Sequence, residues 1–457
     1  MGRVTGFVGG RNRARLGAVL VAGLGLAVLA PVASSASPAP SDPSVLPGQA
    51  AAQIQAISDE KASRSPAEQK VDSNLLYAVR AAAGAAAVAG APSLKSSVTP
   101  DKAGRVAVTL SASVTEALLD RIRALGGTVE WAGAAYDSVR ARVPLGAVIE
   151  LAGEDAVRSI APAAPGESAA AAAAEGQSID AAVNAVTQGS KVSEGDTTLD
   201  VATARNNYGV DGTGVKVCVV SGGIMTLADR QASGDIGAVD IIDGTTPGAS
   251  TDDGGTVMLE VIHDLAPGAT LGFASGYTGI AAFAQNILGL QADGCHVIVD
   301  DVTYRDERQF QDSAITQAIA TVKAAGVFYV TSAGNGGNAV DGTATTWEGN
   351  FADGGASVAP LPTAGYRLHQ FAAGVTQNTL GTATLGPRAS LEWSDVSGAS
   401  ANDYDLYLLN PAGNVASSST NVQSGSQDPY EYVEASGASA GFKVVIAKPA
   451  YAARIAP

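Results

Sequence analysis

Apolar and polar positions change period several times along this chain. Residues 105–110 alternate as a strand, and 114–125 carry apolar residues at helical spacing, with Ser113 or Thr115 as a cap and Gly126-Gly127 as a stop. Residues 128–131 and 137–143 read as two more strands, 145–151 as a second helix and 157–160 as a last strand. The order βαββαβ predicts a small α+β unit over 104–163. Further on, three short apolar runs, 215–220, 297–299 and 327–331, end in small and acidic residues and alternate with helical patterns at 280–290 and 313–325. That alternation predicts a parallel sheet in an α/β domain over about 196–360, entered through a helix at 197–206. After Asn335 the pattern shortens to strands at 389–393, 403–409, 433–434 and 442–446, separated by Gly, Ser and Asn turns. This predicts a β-rich domain over 361–457.

The connecting stretches are poorer in signal. Residues 37–53 are rich in Pro, Ser and Ala and read as a flexible start to a lead-in over 37–103, which holds a helix near 71–82 and an Ala-rich run of no assignable structure. Residues 164–195, rich in Ala, Ser and Gly, read as a loose linker. Residues 1–36 place Arg3, Arg11, Arg13 and Arg15 before an apolar core and end in Ser34-Ser35-Ala36, the layout of a cleavable secretory signal. The expected location is therefore extracellular, with no membrane association after cleavage.

Composition sharpens this picture in two places. The net charge is −16, and removing the four Arg of the signal leaves −20. So acidic a surface argues against nucleic acid and anionic membranes as partners. The two Cys, Cys218 and Cys295, both fall at strands of the expected sheet. Export permits a disulfide between them, and two buried thiols are the other outcome.

In parallel sheets ligands sit beyond the carboxyl ends of the strands. Here those ends carry Ser221-Gly222-Gly223, Asp300-Asp301 and Ser332-Ala333-Gly334-Asn335. Gly212-Thr213-Gly214-Val215-Lys216-Val217, Ala266-Pro267-Gly268-Ala269 and the Asn335 segment resemble, in order and spacing, motifs of the subtilases, the subtilisin-like serine peptidases. A secreted bacterial subgroup is similar in Met258-Leu259-Glu260 through His263-Asp264. The resemblance implies a three-layer subtilisin-like core whose C-terminal part is missing, preceded by a ferredoxin-like propeptide domain that lays its tail in the cleft. It also implies a polypeptide substrate or ligand. Asp403-Tyr404-Asp405-Leu406-Tyr407-Leu408 resembles a strand of bacterial pre-peptidase C-terminal domains, small β-sandwiches.

Set against the chemistry, the resemblance breaks down. Serine peptidases need a nucleophile, a base, an orienting acid and oxyanion donors. Gly222 takes the position of the acid and Gly254 that of the base, and no Gly-Thr-Ser nucleophile segment exists. Asn335 matches the oxyanion donor. Glu260 and Asp264, four apart, fall on one helix face, and the sedolisins use such a carboxylate pair as base and acid. Asp403 and Asp405 are either calcium-binding oxygens or, as we favour, solvated strand-edge charge; no other cofactor is expected. Three functions follow: an inactive secreted subtilisin-like serine endopeptidase homologue, a non-catalytic peptide- or glycan-binding protein on that scaffold, or an inhibitor acting through 104–163.

Overall fold

The computed structural model describes residues 46–168, 192–354, 366–381 and 386–448. The signal-like segment 1–36 and residues 169–191 of the linker lie outside the described residues. The lead-in is ordered from its first described turn, which corrects the expectation of flexibility through Gln53. Ala50, Ile54 and Ile57 recur at helical spacing and form the buried face of α1 (Gly48–Ala62). A second helix, α2 (Ser73–Ala82), starts at Asp72, whose carboxylate accepts from Asn74 N at 2.9 Å. The apolar face of α1 and Tyr77 of α2 pack against Leu368, Tyr407, Leu409 and Val445, all from the last third of the chain, while Leu75, Leu76 and Ala78 of α2 join the core of the unit that follows.

Next come β1 (Arg105–Ala112), α3 (Glu116–Ala124), β2 (Thr128–Gly133), β3 (Ser138–Pro144), α4 (Val148–Ala152) and β4 (Val157–Pro162). The four strands make one antiparallel sheet in the order β2–β3–β1–β4. Of the two caps the sequence offered, Thr115 is used, accepting from Leu118 N at 3.2 Å. Val108, Leu110, Ile122, Val139 and Leu151 form its core. The chain then adds a two-residue strand, β5 (Glu167–Ser168).

From residue 192 the helix expected at 197–206 is two helices, α5 (Glu194–Thr198) and α6 (Val201–Tyr208), broken where Asp200 takes a positive φ of 54°. The rest of this unit supplies β6 (Lys216–Ser221), α7 (Leu227–Ser233), β7 (Val239–Ile241), α8 (Gly254–Leu265), β8 (Thr270–Ser275), α9 (Ile280–Ala292), β9 (Val297–Asp300), β10 (Val302–Thr303), α10 (Ala314–Ala324) and β11 (Phe328–Thr331). The sheet is parallel throughout, in the order β11–β9–β6–β8–β7. Successive residues of β6 serve opposite faces: Cys218 and Val220 pack with α9 and α10, and Val219 packs with α7 and α8. Burial on both faces is why β6 and β9 read as unbroken apolar runs. Cys218 and Cys295 are joined, with Cα atoms 5.9 Å apart. The bond ties β6 to the entry of β9 across 77 residues, a closure worth about 4 kcal/mol in the chain-entropy account.

The last unit holds β12 (Arg367–Leu368), β13 (Asn378–Thr379), β14 (Arg388–Glu392), β15 (Asp405–Leu409), β16 (Val415–Ser419), β17 (Tyr430–Glu434) and β18 (Lys443–Lys448). Its larger sheet runs β12–β18–β15–β16, with β13 also on β18, and β14 pairs with β17. Leu406 and Leu408 face the β14–β17 pair, while Tyr407 and Leu409 face α1 and α2. The sheet is covered on both sides, once by strands and once by the N-terminal helices.

That packing overturns the solvated-edge reading of Asp403 and Asp405, whose side chains are 2% and 0% exposed. The ammonium of Lys61, on α1, donates to Asp403 Oδ1 at 2.7 Å and Asp405 Oδ1 at 2.8 Å. Tyr366 and Tyr407 hydroxyls donate to Asp405 Oδ2 at 2.7 and 3.1 Å. A calcium ion here would have to displace an ammonium already paired to both carboxylates, so the calcium assignment is corrected too. Nearby, Glu431 is fully buried and accepts from Gln423 Nε2 at 2.8 Å and from Ser419 Oγ. Burial pushes its carboxyl well above the usual range, against the opposing pull of Lys61.

Lys61→Ala leaves two buried carboxylates without their cation and should cost about 3–5 kcal/mol of stability, read from denaturant melts. Glu431 has a folded-state pKa raised chiefly by burial, so the native state holds a proton that the unfolded chain releases. Its stabilising contribution is present at low pH and lost as pH rises above the ordinary carboxylate range of about 4. The melting temperature should fall as pH rises above that range, and Glu431→Gln should flatten the decline. A wild-type decline left unchanged in the Gln variant would refute the assignment to Glu431.

Candidate functional site

The carboxyl ends of β6, β8 and β9 converge where the sequence placed a ligand. Ser221 closes β6 and is fully buried, and its Oγ has no protein partner. Ser275 closes β8; its hydroxyl donates to Gly222 O at 3.4 Å and accepts from Tyr277 N at 3.2 Å. Asp300 closes β9, where it accepts from Thr331 Oγ1 at 2.9 Å, and burial raises its pKa. Asp301 follows and is also buried.

Gly222 and Gly254 lie at one place, joined through a residue that sequence reasoning missed. Asp252 Oδ1 accepts from Gly254 N at 2.9 Å, and Tyr277 Oη donates to Asp252 Oδ2 at 3.2 Å. A Cβ added at Gly222 would fall 2.6 Å from Asp252 Cγ and 2.5 Å from Tyr277 Cζ. A Cβ at Gly254 would fall 2.8 Å from Ser221 Oγ and 3.2 Å from Asp252 Oδ1. The room that a side chain at Gly222 would need is thus filled by Asp252 and Tyr277, and that at Gly254 by Ser221 and Asp252. The acidic pair Asp252-Asp253 immediately before a helix was the available signal; Asp253 itself turns away to accept from Thr226 N and Oγ1 at 2.8 and 2.6 Å.

Among the described residues no base hydrogen-bonds Ser221 Oγ. An activated serine needs a base within hydrogen-bond reach, and the chain's three His all lie elsewhere. His263 sits nine residues along α8 from Gly254, roughly 13 Å at the helical rise. His296 Nδ1 accepts from Lys216 N at 3.0 Å, at the opposite end of the sheet. His369 Nδ1 accepts from Ala352 N at 3.2 Å in an aromatic cluster with Trp347 and Phe371.

Two of the remaining sequence candidates lie further along α8. Glu260 is six residues along α8, about 9 Å from Gly254. Burial raises its pKa, Arg230 opposes, and Asp235 and Asp264 add repulsion. Asp264 accepts the backbone N–H of Ser193 at 2.6 Å and so anchors the chain entering α5. Asn335 is exposed in the loop after β11. Among the described residues no cluster of three or more His, Cys, Asp or Glu is arranged to hold a metal ion. Nor is any described helix long and apolar enough to cross a membrane.

The site does hold polypeptide. Leaving β4, the chain runs across the strand ends and pairs β5 antiparallel with β10, Ser168 opposite Val302 and Glu167 opposite Thr303. Gly166 is buried against Tyr277, Tyr304 and Gly276, so the Tyr277 ring separates this strand from Gly222 and Asp252.

No protein-family model matches the chain, and no curated protein matches it. Among solved structures it is similar to fervidolysin from Fervidobacterium pennivorans, described as a keratinolytic enzyme related to subtilisin, at 17% identity and a TM-score of 0.30, covering 51% of this chain and 40% of that one. It is also similar to the epidermin leader peptide processing serine protease of Staphylococcus aureus, at 13% identity and a TM-score of 0.33, covering 52% of this chain and 63% of that one. The chain thus spans less than two thirds of the length of either structure.

Because Asp252 and Tyr277 fill the space beside Gly222, Gly222→Asp should be an overpacking substitution. It should cost about 1–3 kcal/mol in thermal or denaturant melts and yield no hydrolysis of casein. A stable, casein-cleaving Gly222→Asp protein would show that the space is open and that a base and nucleophile are within reach.

Proposed function

We propose that this chain is a secreted, catalytically silent polypeptide-binding protein on a peptidase-like α/β scaffold, with the groove beside β10 as its binding site. The observation that supports this reading is the antiparallel pairing of Glu167–Ser168 with Val302–Thr303 at the carboxyl end of the parallel sheet. Main-chain pairing of this kind is how extended polypeptides are commonly held. The catalytic silence rests on Gly222, Gly254 and the distance of every His from Ser221. Export rests on the basic, apolar and small-residue layout of residues 1–36.

A second reading, a serine peptidase completed by polypeptide beyond this chain, has one observation in its favour. The outer edge strand β11 leaves Phe328 66% and Val330 40% exposed on one face, as a strand awaiting a covering layer would.

One assay tests the silent reading for the chain itself. The purified chain, incubated with casein and with a fluorophosphonate probe, should show neither turnover nor labelling. Oxyanion donors and binding alone give only about 10³- to 10⁴-fold over water. Labelling abolished by a single Ser→Ala change would overturn the silent reading.

A further inference from the structure

We infer that the groove beside β10 selects an extended polypeptide in which glycine is followed by an acidic residue; this rests on the polypeptide-groove reading above and adds its specificity. Two neighbouring positions of the chain's own strand carry the inference.

The first is Gly166. A Cβ there would lie 2.7 Å from Tyr277 Cδ1, 3.0 Å from Tyr304 Oη and 3.1 Å from Gly276 O. This wall is pinned. Tyr304 Oη donates to Gly276 O at 2.6 Å and accepts from Gly279 N at 2.8 Å, and Tyr277 is tied through its hydroxyl to Asp252. Any side chain at this position must therefore break hydrogen bonds to enter.

The second is Glu167. Its carboxylate lies between two guanidinium groups from different units: Arg305, just past β10, pairs with Oε1, and Arg388, the first residue of β14, lies 3.7 Å from Oε2. Arg305 is held independently of the strand it receives. Arg305 also bonds the Tyr432 hydroxyl and lies over that ring at 5.5 Å, and Tyr432 donates to Glu434 Oε2 at 2.9 Å. All three charged side chains of the subsite are only about a quarter exposed. Solvent screening is correspondingly weaker than at a surface pair. A neutral residue would leave both cations facing the groove, and a basic one would be repelled.

The test uses the full chain carrying Glu167→Lys, in which the resident strand loses its ion pair, and a fluorescent peptide Ala-Ala-Pro-Gly-Glu-Ser, the sequence of residues 163–168. Anisotropy should show binding about ten-fold tighter than for the same peptide with Gln for Glu, or with Ala for Gly. Equal affinity for the Glu and Gln peptides would overturn the acidic preference and leave the groove reading standing. Equal affinity for the Gly and Ala peptides would overturn the glycine requirement alone, and no binding of any peptide would sink both the groove and its specificity. A second measurement stays within the chain: Glu167→Lys should speed thermolysin cleavage at 163–168 about ten-fold, and Arg305→Glu in the same chain should slow it again. Unchanged cleavage in Glu167→Lys, or no rescue by Arg305→Glu, would overturn the ion-pair selection.

Discussion

The ammonium of Lys61, placed between Asp403 and Asp405, is the contact on which the outer architecture depends. Two carboxylates a residue apart on a fully covered strand are tolerable only if a cation reaches them and their remaining lone pairs are used. Lys61 supplies the cation, and Tyr366 and Tyr407 supply hydroxyl donors to Asp405. The consequence is geometric. The one helix that carries Lys61 must lie against β15, so the N-terminal helices become the third layer of the C-terminal β unit. Arg64, one turn on, repeats the theme by donating to Thr420 O at 2.7 Å while pairing with Glu60.

The same β unit contributes to the proposed groove. Arg388 and Tyr432 belong to the β unit, Arg305 to the parallel-sheet unit and Glu167 to the strand leaving the antiparallel sheet. The subsite exists only where three parts of the chain meet. Below it, the disulfide between Cys218 and Cys295 fixes the entry of β9 beside β6, and the carboxyl ends of those strands set where the polypeptide can lie.

How much of this the sequence displays depends on how local each cause is. Strands β6 and β9 are legible because strands of a covered parallel sheet read as apolar runs; β11, exposed at Phe328 and Val330, is legible from its β-branched and aromatic composition, and the three lie in one sheet. β8, Thr-Leu-Gly-Phe-Ala-Ser, is masked by its small residues. β16 is masked by Ser417 to Ser419, which are fully buried and serve as hydrogen-bond partners, Ser418 for the Tyr77 hydroxyl and Ser419 for Tyr432 N. Asp403 and Asp405 look like solvated charge because their partner is 342 and 344 residues away. At the candidate site the glycines that replace reactive side chains are visible in the sequence. That Asp252, with Tyr277 at Gly222 and Ser221 at Gly254, has closed the space beside them is not, because that closeness comes from tertiary packing alone.

The distance in sequence between α1 and β15 also governs how the chain must come together. Gln53 meets Asn414 at a separation of 361 residues, and Lys61 meets Asp403 at 342. Contacts this remote carry a large loop-closure cost before they return any stabilisation, and they slow folding. The apolar face of α1 cannot reach its final burial until β15 and β18 have been made. Until then it remains open to any factor that binds unfinished chains.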